Sequence, residues 1–74
     1  MRLHITYDRD GRTAKVRGSL GYEQLLLDRG FRGFPMRDSL LVSRANAEAL
    51  EVVARGEHWA IEVCDEMPSG GGAA

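Results

Sequence analysis

A chain of 74 residues has room for one small core and little spare volume for an enclosed active site. Its single cysteine, Cys64, excludes an intramolecular disulfide framework, and no run approaches the roughly 18 apolar residues of a transmembrane helix. The N-terminal residues lack the apolar segment of a secretory signal, so we expect a cytoplasmic protein. With 43% hydrophobic and 28% charged residues, the composition is typical of a globular domain and not of a disordered chain.

The formal net charge of -1 hides a strong segregation of charge along the chain. Residues 1–37 contain eight basic and four acidic side chains, whereas residues 38–74 contain two basic and seven acidic ones. Either the two halves fold against each other and the charges interleave, or the fold keeps a basic face and an acidic face. Separate faces would attract a charged partner through their summed field.

The first part of the chain predicts a β-hairpin. Apolar and polar residues alternate over 2–7 and again over 13–17, which is the pattern of strands with one buried face. Between these segments Asp8, Asp10 and Gly11 supply the chemistry of a tight turn. The outer face of this hairpin is predicted to carry Arg2, His4, Lys15 and Arg17.

A short helix is predicted next. Tyr22, Leu25 and Leu26 are spaced i, i+3, i+4 and give an apolar stripe. Ser19 is the predicted N-cap, and Gly30 is placed to end the helix in the left-handed conformation.

Residues 29–38 are an unusual connection. They combine two glycines and a proline, which argue against regular structure, with two phenylalanines and a methionine, which are too apolar for a solvated loop. The segment either plugs an open end of the core or presents an apolar surface to a partner.

Residues 39–64 predict a strand, a capped helix and a strand. Residues 40–42 are apolar on both faces, as in an interior strand, and Ser43 is the predicted N-cap of the helix that follows. Gly56 is expected to stop this helix, and Trp59 is expected to be the largest single piece of core.

The predicted apolar face of the helix is formed by Ala45, Ala49, Val52 and Val53. Its exposed side carries two i,i+4 ion pairs, Arg44 with Glu48 and Glu51 with Arg55. In the last strand one face is assigned to Trp59, Ile61 and Val63, and the other to Ala60, Glu62 and Cys64.

Together these elements predict an α+β fold. We expect a two-layer sandwich with the order β-β-α-β-α-β, in which two helices lie on one face of a four-stranded mixed sheet and the last helix connects parallel strands. Residues 1–66 would form this single compact domain. Residues 67–74, rich in Pro, Gly, Ser and Ala, would form a disordered tail.

Catalysis and metal binding have little support in the sequence. His4, His58 and Cys64 are the whole set of soft ligands, and they lack the spacing of a zinc site. A nucleophilic thiol would need a neighbouring base, and His58 lies too far along the same strand from Cys64. We therefore predict no enzyme, no metal and no cofactor, and interpret Cys64 as a small, partly buried apolar residue.

The function that these exclusions favour is that of a small module that occupies the surface of another protein, with a homodimer as one possible form. Such a size and charge are found among compact inhibitors encoded by phages and mobile elements, including anti-CRISPR proteins, although no motif of such a family is present. The predicted partner-binding residues are Arg29, Phe31, Arg32, Phe34, Arg37, Glu48, Glu51, Glu57 and Glu62. The alternative is a small nucleic-acid-binding protein that uses the basic sheet face and the Arg/Phe/Gly loop.

Overall fold

The computed structural model describes residues 1–65, which form five strands and two helices. In chain order the elements are β1 Arg2–Tyr7, β2 Thr13–Gly18, α1 Tyr22–Asp28, β3 Phe34–Pro35, β4 Leu40–Ser43, α2 Arg44–Gly56 and β5 Ala60–Asp65. Glu66 and the predicted tail, 67–74, lie outside the described residues. No helix in the described part of the chain is long and apolar enough to span a membrane.

The strands form one mixed sheet in the order β3-β4-β2-β1-β5. β5 runs parallel to β1, and the other neighbouring strands are antiparallel. The predicted α+β class with a mixed sheet is confirmed. The prediction of four strands is wrong by one, because Phe34 and Pro35 of β3 pair with Leu41 and Leu40 of β4. A two-residue edge strand that contains proline leaves no strand pattern in the sequence.

The predicted hairpin of β1 and β2 is confirmed. Gly11 has a φ of 70° in its turn, a left-handed conformation that glycine adopts without strain. The Asp10 carboxylate accepts hydrogen bonds from the backbone N–H groups of Arg12 and Thr13, at 2.8 and 3.2 Å. These bonds, above all the one from Arg12, lower the pKa of Asp10 and hold the turn closed.

Helix α1 ends as the sequence predicts. Gly30 has a φ of 87°, and its N–H donates to the carbonyl oxygen of Leu27 at 3.0 Å. The N–H of Phe31 donates to the carbonyl oxygen of Leu26 at 2.9 Å. This pair of hydrogen bonds is a Schellman motif, and it turns Phe31 back into the core.

The start of α1 differs from the prediction. Gly21, not Ser19, is the N-cap residue, and within residues 1–65 no side chain caps the helix. The Ser19 hydroxyl instead accepts a hydrogen bond from the backbone N–H of Arg2 at 3.2 Å. Ser19, which follows the end of β2, is therefore joined to the start of β1.

Helix α2 has the predicted N-cap but a different buried face. The Ser43 hydroxyl accepts the N–H of Asn46 at 3.1 Å. The buried residues are Ala47, Leu50 and Ala54. Of the predicted apolar face, Ala45, Ala49 and Val52 are exposed, and Val53 alone packs against the core. Both stripes have helical spacing, and the helix buries the one with Leu50 because this side chain removes more apolar area from water.

The end of α2 is formed by a residue other than the predicted glycine. His58 has a φ of 63° and donates its N–H to the carbonyl oxygen of Arg55 at 3.2 Å. Trp59 donates its N–H to the carbonyl oxygen of Ala54 at 2.9 Å. This is again a Schellman motif, with His58 at the left-handed position, while Gly56 is only the last helical residue.

Both helices cover the same face of the sheet, which we call the covered face. The core that they enclose consists of Leu3, Ile5, Tyr7, Ala14, Val16, Leu26, Phe31, Leu40, Val42, Ala47, Leu50 and Ala54. Trp59 is partly exposed and packs at the margin of this cluster, so the prediction that it is the largest piece of core is wrong. It precedes an edge strand, where the core ends.

Tyr7 connects β1 to α2 on the covered face. Its hydroxyl donates a hydrogen bond to the Glu51 carboxylate, and the Arg44 guanidinium lies 4.8 Å from the centroid of its ring. Burial and then this hydrogen bond raise the pKa of Tyr7. Glu51 therefore supports the fold, and its side chain is only 17% exposed.

Candidate functional site

The face of the sheet opposite the helices, the open face, is built by alternate residues of every strand. Its members are Arg2, His4 and Thr6 of β1, Lys15 and Arg17 of β2, Phe34 of β3, Leu41 of β4, and Glu62 and Cys64 of β5. The predicted outer face of the hairpin is confirmed, as is the shared face of Glu62 and Cys64. Neither helix covers these side chains.

A cysteine, a histidine and a glutamate meet at one edge of the open face. The Cys64 Sγ atom lies 3.6 Å from His4 Nε2, and His4 Nδ1 lies 3.3 Å from an oxygen of the Glu62 carboxylate. The parallel pairing of β1 with β5 creates this contact, because it places His4 opposite Glu62 and Thr6 opposite Cys64. The arrangement has the order nucleophile, base and orienting group.

A shallow depression beside this cluster is lined by two arginines and one aspartate. The depression has a volume of about 460 Å³, and its lining includes Arg2, His4, Arg17, Ser19 and Asp38. Within residues 1–65, neither Arg2 nor Arg17 forms an ion pair. Lys15, on the same face, lies 3.5 Å from an Asp8 oxygen and is therefore partly compensated.

The 29–38 segment divides its two phenylalanines between the core and the surface. Phe31 is 9% exposed and belongs to the core, so this predicted partner-binding residue has almost no surface to offer. Phe34 is 67% exposed and stands on the open face opposite Leu41. Phe31 therefore plugs the core, and Phe34 gives the segment an exposed apolar side chain.

The arginines predicted at this segment have different surroundings. Arg29 forms an ion pair with Glu57, and its guanidinium lies 5.5 Å from the centroid of the Trp59 ring. The hydrogen bond between Arg29 and Glu57 raises the pKa of Arg29 and lowers the pKa of Glu57. Arg32 and Arg37 are exposed.

The predicted acidic residues do not form one surface. Glu48 and Glu51 lie on α2, where Arg44 and Arg55 pair with them at 3.3 and 3.1 Å, as the sequence predicts. Glu62, in contrast, lies on the open face, on the other side of the sheet. Since two of these acids are paired on α2 and Glu57 is paired with Arg29, most of the acidic charge is compensated within the chain.

Sequence reasoning missed the contact between His4 and Cys64. His4 is predicted on the outer face of the hairpin and Cys64 on the same face of the last strand as Glu62, but the sequence carries no signal that the first and last strands are neighbours. The expectation that Cys64 is partly buried is wrong, because it points to the open face of an edge strand and is exposed. His58, the alternative base, lies instead at the end of α2.

Within residues 1–65, no group of three or more His, Cys, Asp or Glu side chains is placed to hold a metal ion. Comparison of the chain with protein-family models, with curated proteins and with solved structures finds no match.

Proposed function

We propose that this protein is a small protein-interaction module and that the open face of its sheet is the binding surface. The observation that carries the proposal is the one-sided sheet: the helices cover one face and leave the other to side chains that include unpaired cations and an exposed phenylalanine. A partner that covered this face would add a third layer to the two layers formed by the helices and the sheet.

The chemistry of the open face specifies an acidic partner surface. Arg2 and Arg17 form no ion pair among the described residues, so carboxylates of a partner could bind them without first breaking an internal contact. The internally paired acids on α2 offer less to a basic partner. The basic face is therefore a better candidate than Glu48, Glu51 and Glu57, the paired acids among the predicted partner-binding residues.

Phe34 supplies the apolar part of this surface. Exposed aromatic side chains beside arginine are typical of the residues that contribute most binding energy at protein interfaces. With Leu41 opposite it in the ladder, Phe34 could enter a pocket on the partner while Arg17 and Arg2 contact its acidic rim. The narrower class, an inhibitor from a phage or mobile element of the anti-CRISPR type, rests on size and charge alone.

Nucleic-acid binding is the second candidate, and the position of Phe34 favours it. The ring stands on the same face as Lys15 and Arg17, so a single strand could stack one base on it and place phosphates on the cations. A homodimer is also consistent with the fold, since β5 is an edge strand to which a second copy could add its own.

Affinity capture from a nuclease-treated lysate tests the main proposal. We expect the tagged protein to retain an acidic partner protein, and the double variant Arg17→Glu, Phe34→Ser to lose it. The matched control is Glu48→Lys, on α2, which should retain the partner. Retention by the open-face variant, or loss in the α2 variant alone, would contradict the proposed surface.

Two further measurements separate the alternatives. Titration with a short single-stranded oligonucleotide at low and high salt should show salt-sensitive binding only if the nucleic-acid candidate is correct, and Arg17→Glu should then weaken it. Light scattering of the purified protein reports a homodimer directly. Cytoplasmic residence remains a prediction of the same proposal.

A further inference from the structure

We propose that Cys64 is a reactive thiol that forms mixed disulfides with small anionic disulfides, such as oxidised glutathione, and that His4 accepts its proton. The inference does not depend on the proposed partner binding. It rests on a cluster of three side chains that two strands, separated by most of the chain, bring together on the open face.

The geometry of the cluster fits proton transfer from the thiol. When His4 Nδ1 carries the proton, it can donate a hydrogen bond to the Glu62 carboxylate, whose oxygen lies 3.3 Å away. The lone pair of Nε2 then faces the Cys64 Sγ atom at 3.6 Å. Glu62 then holds the imidazole in the tautomer that can accept a proton and stabilises the cation that results. This is the activation of a nucleophile by an oriented base.

The position of Cys64 fits attack on a molecule from solution. The residue is exposed, and its strand is at the edge of the sheet, so a disulfide can approach from the side opposite β1. Exposed thiols close to a base or to cations are the sites at which disulfide exchange is selective. A buried cysteine on the covered face would be closed to the same reagent.

The charges around the cluster select the kind of disulfide. β1 contributes Arg2 and β2 contributes Lys15 and Arg17 to the open face, while β5 contributes Glu62. Within residues 1–65, Arg2 and Arg17 form no ion pair, whereas Lys15 is partly compensated by Asp8 and Glu62 is directed at His4. The two arginines therefore favour a reagent that carries carboxylate groups. Oxidised glutathione has this chemistry, and an uncharged disulfide of similar size does not.

The reaction balances without any further oxidant. The Cys64 thiol gives its proton to His4 Nε2, and the sulfur attacks one sulfur of the disulfide. A bond forms between Sγ and that sulfur, the original S–S bond breaks, and the leaving thiolate takes up the proton. Cys64 is oxidised to a mixed disulfide and half of the reagent is reduced to a thiol.

The experiment measures the rate at which oxidised glutathione modifies the native protein at neutral pH, followed by intact-mass spectrometry. We expect His4→Gln to slow the reaction by about tenfold or more, because the proton acceptor is lost. Glu62→Gln should give a smaller decrease. The matched control, His58→Asn, removes the other histidine and should react like the wild type, since asparagine also tolerates the left-handed conformation.

Two readouts distinguish this role of His4 from a structural one. In guanidinium chloride all variants should react at the same rate, and circular dichroism should show that each native variant is folded. The ratio of wild-type to His4→Gln rates should fall toward one at alkaline pH, since hydroxide then removes the thiol proton without the help of a side chain. If His4→Gln does not fold, the same measurements on Glu62→Gln replace it.

Equal rates for the wild type and His4→Gln at neutral pH would overturn the inference, as would a failure of Cys64 to form the mixed disulfide. A cystine-like reagent without net negative charge should react more slowly than oxidised glutathione. The same rate for both reagents would remove the role assigned to the cations.

Discussion

Leu3 and His4 are neighbours in the chain, yet they belong to opposite faces of the sheet. Leu3 is fully buried under the helices, whereas His4 meets Cys64 and Glu62 on the open face. Every central strand makes the same division. The covered face therefore supplies the stability of a small domain, and the open face holds polar and charged side chains that the core does not need.

This division separates changes that unfold the protein from changes that alter what it binds or reacts with. In a chain of this size the net free energy of unfolding is small, and a loss of a few kcal/mol is a large fraction of it. Substitutions on the open face should be the ones that leave the fold intact.

Truncation of Leu3 and of His4 in turn tests this division most directly. Leu3→Ala should reduce the free energy of unfolding by about 2–5 kcal/mol, because it removes a fully buried side chain and leaves a cavity. His4→Ala should cost less than about 1 kcal/mol, since its polar contacts lie at the surface. Urea unfolding followed by circular dichroism measures both. Equal costs would show that the open face also carries stability.

The pairing of β3 with β4 can be tested at Gly33. A Cβ atom at this position would lie 2.5 Å from the backbone oxygen of Leu41, so β3 would have to move away from β4. We expect Gly33→Ala to destabilise the protein by about 1–3 kcal/mol and to increase hydrogen exchange in β4. Unchanged exchange would mean that β3 is not held by this ladder.

Tyr7 tests a polar contact on the covered face. Tyr7→Phe removes the hydrogen bond to Glu51 and should cost about 0.5–1.5 kcal/mol at neutral pH.

The pKa of Tyr7 is higher in the folded protein than in the unfolded chain, so its contribution is complete below about pH 9 and is lost as the unfolded tyrosine ionises above about pH 10. The difference between wild type and variant should therefore narrow at alkaline pH. Urea titrations below pH 9 and above pH 10 measure this difference in the free energy of unfolding. Tyr22 is present in both proteins and serves as the internal control, because its own ionisation affects both equally.

The smallest effect is expected at Gly56, the last residue of α2, which belongs to neither face. Nothing lies within 4 Å of a Cβ atom added at Gly56 or at Gly30. Gly56→Ala should stabilise the protein by about 0.5–1 kcal/mol, because alanine loses less conformational freedom in a helix.

Gly30→Ala is the matched control. Gly30 has a φ of 87°, and alanine in this conformation should cost about 1–2 kcal/mol. Thermal unfolding of the two variants in parallel measures the contrast. Shifts of the same sign would contradict the backbone explanation.

Helix α2 shows how far the sequence could predict a buried face. Ser43 identified the start of the helix, because an N-cap acts locally through its own hydroxyl. The choice between the stripe with Val52 and the stripe with Leu50 was not local, since both have helical spacing. In the folded protein Val52 is 70% exposed, whereas Leu50 is buried against the core.

The candidate site shows the same limit. Alternation placed His4 on the outer face of the hairpin, and Glu62 and Cys64 on one face of the last strand, because the side-chain period of a strand is a local property. The distance between them depends on which strands are neighbours. That choice was made by the whole chain when β5 paired with β1.

The hairpin, the caps at Ser43 and Gly30, the α+β class with a mixed sheet and the faces of the residues in β1 and β2 could be predicted from the amino-acid sequence. These features follow from turn chemistry, capping and side-chain periodicity, which act over a few residues. The strand order, the buried stripe of α2 and the contact of Cys64 with His4 could be read only from the folded chain. Those features depend on long-range pairing and on the burial of the largest apolar area, which no local pattern encodes.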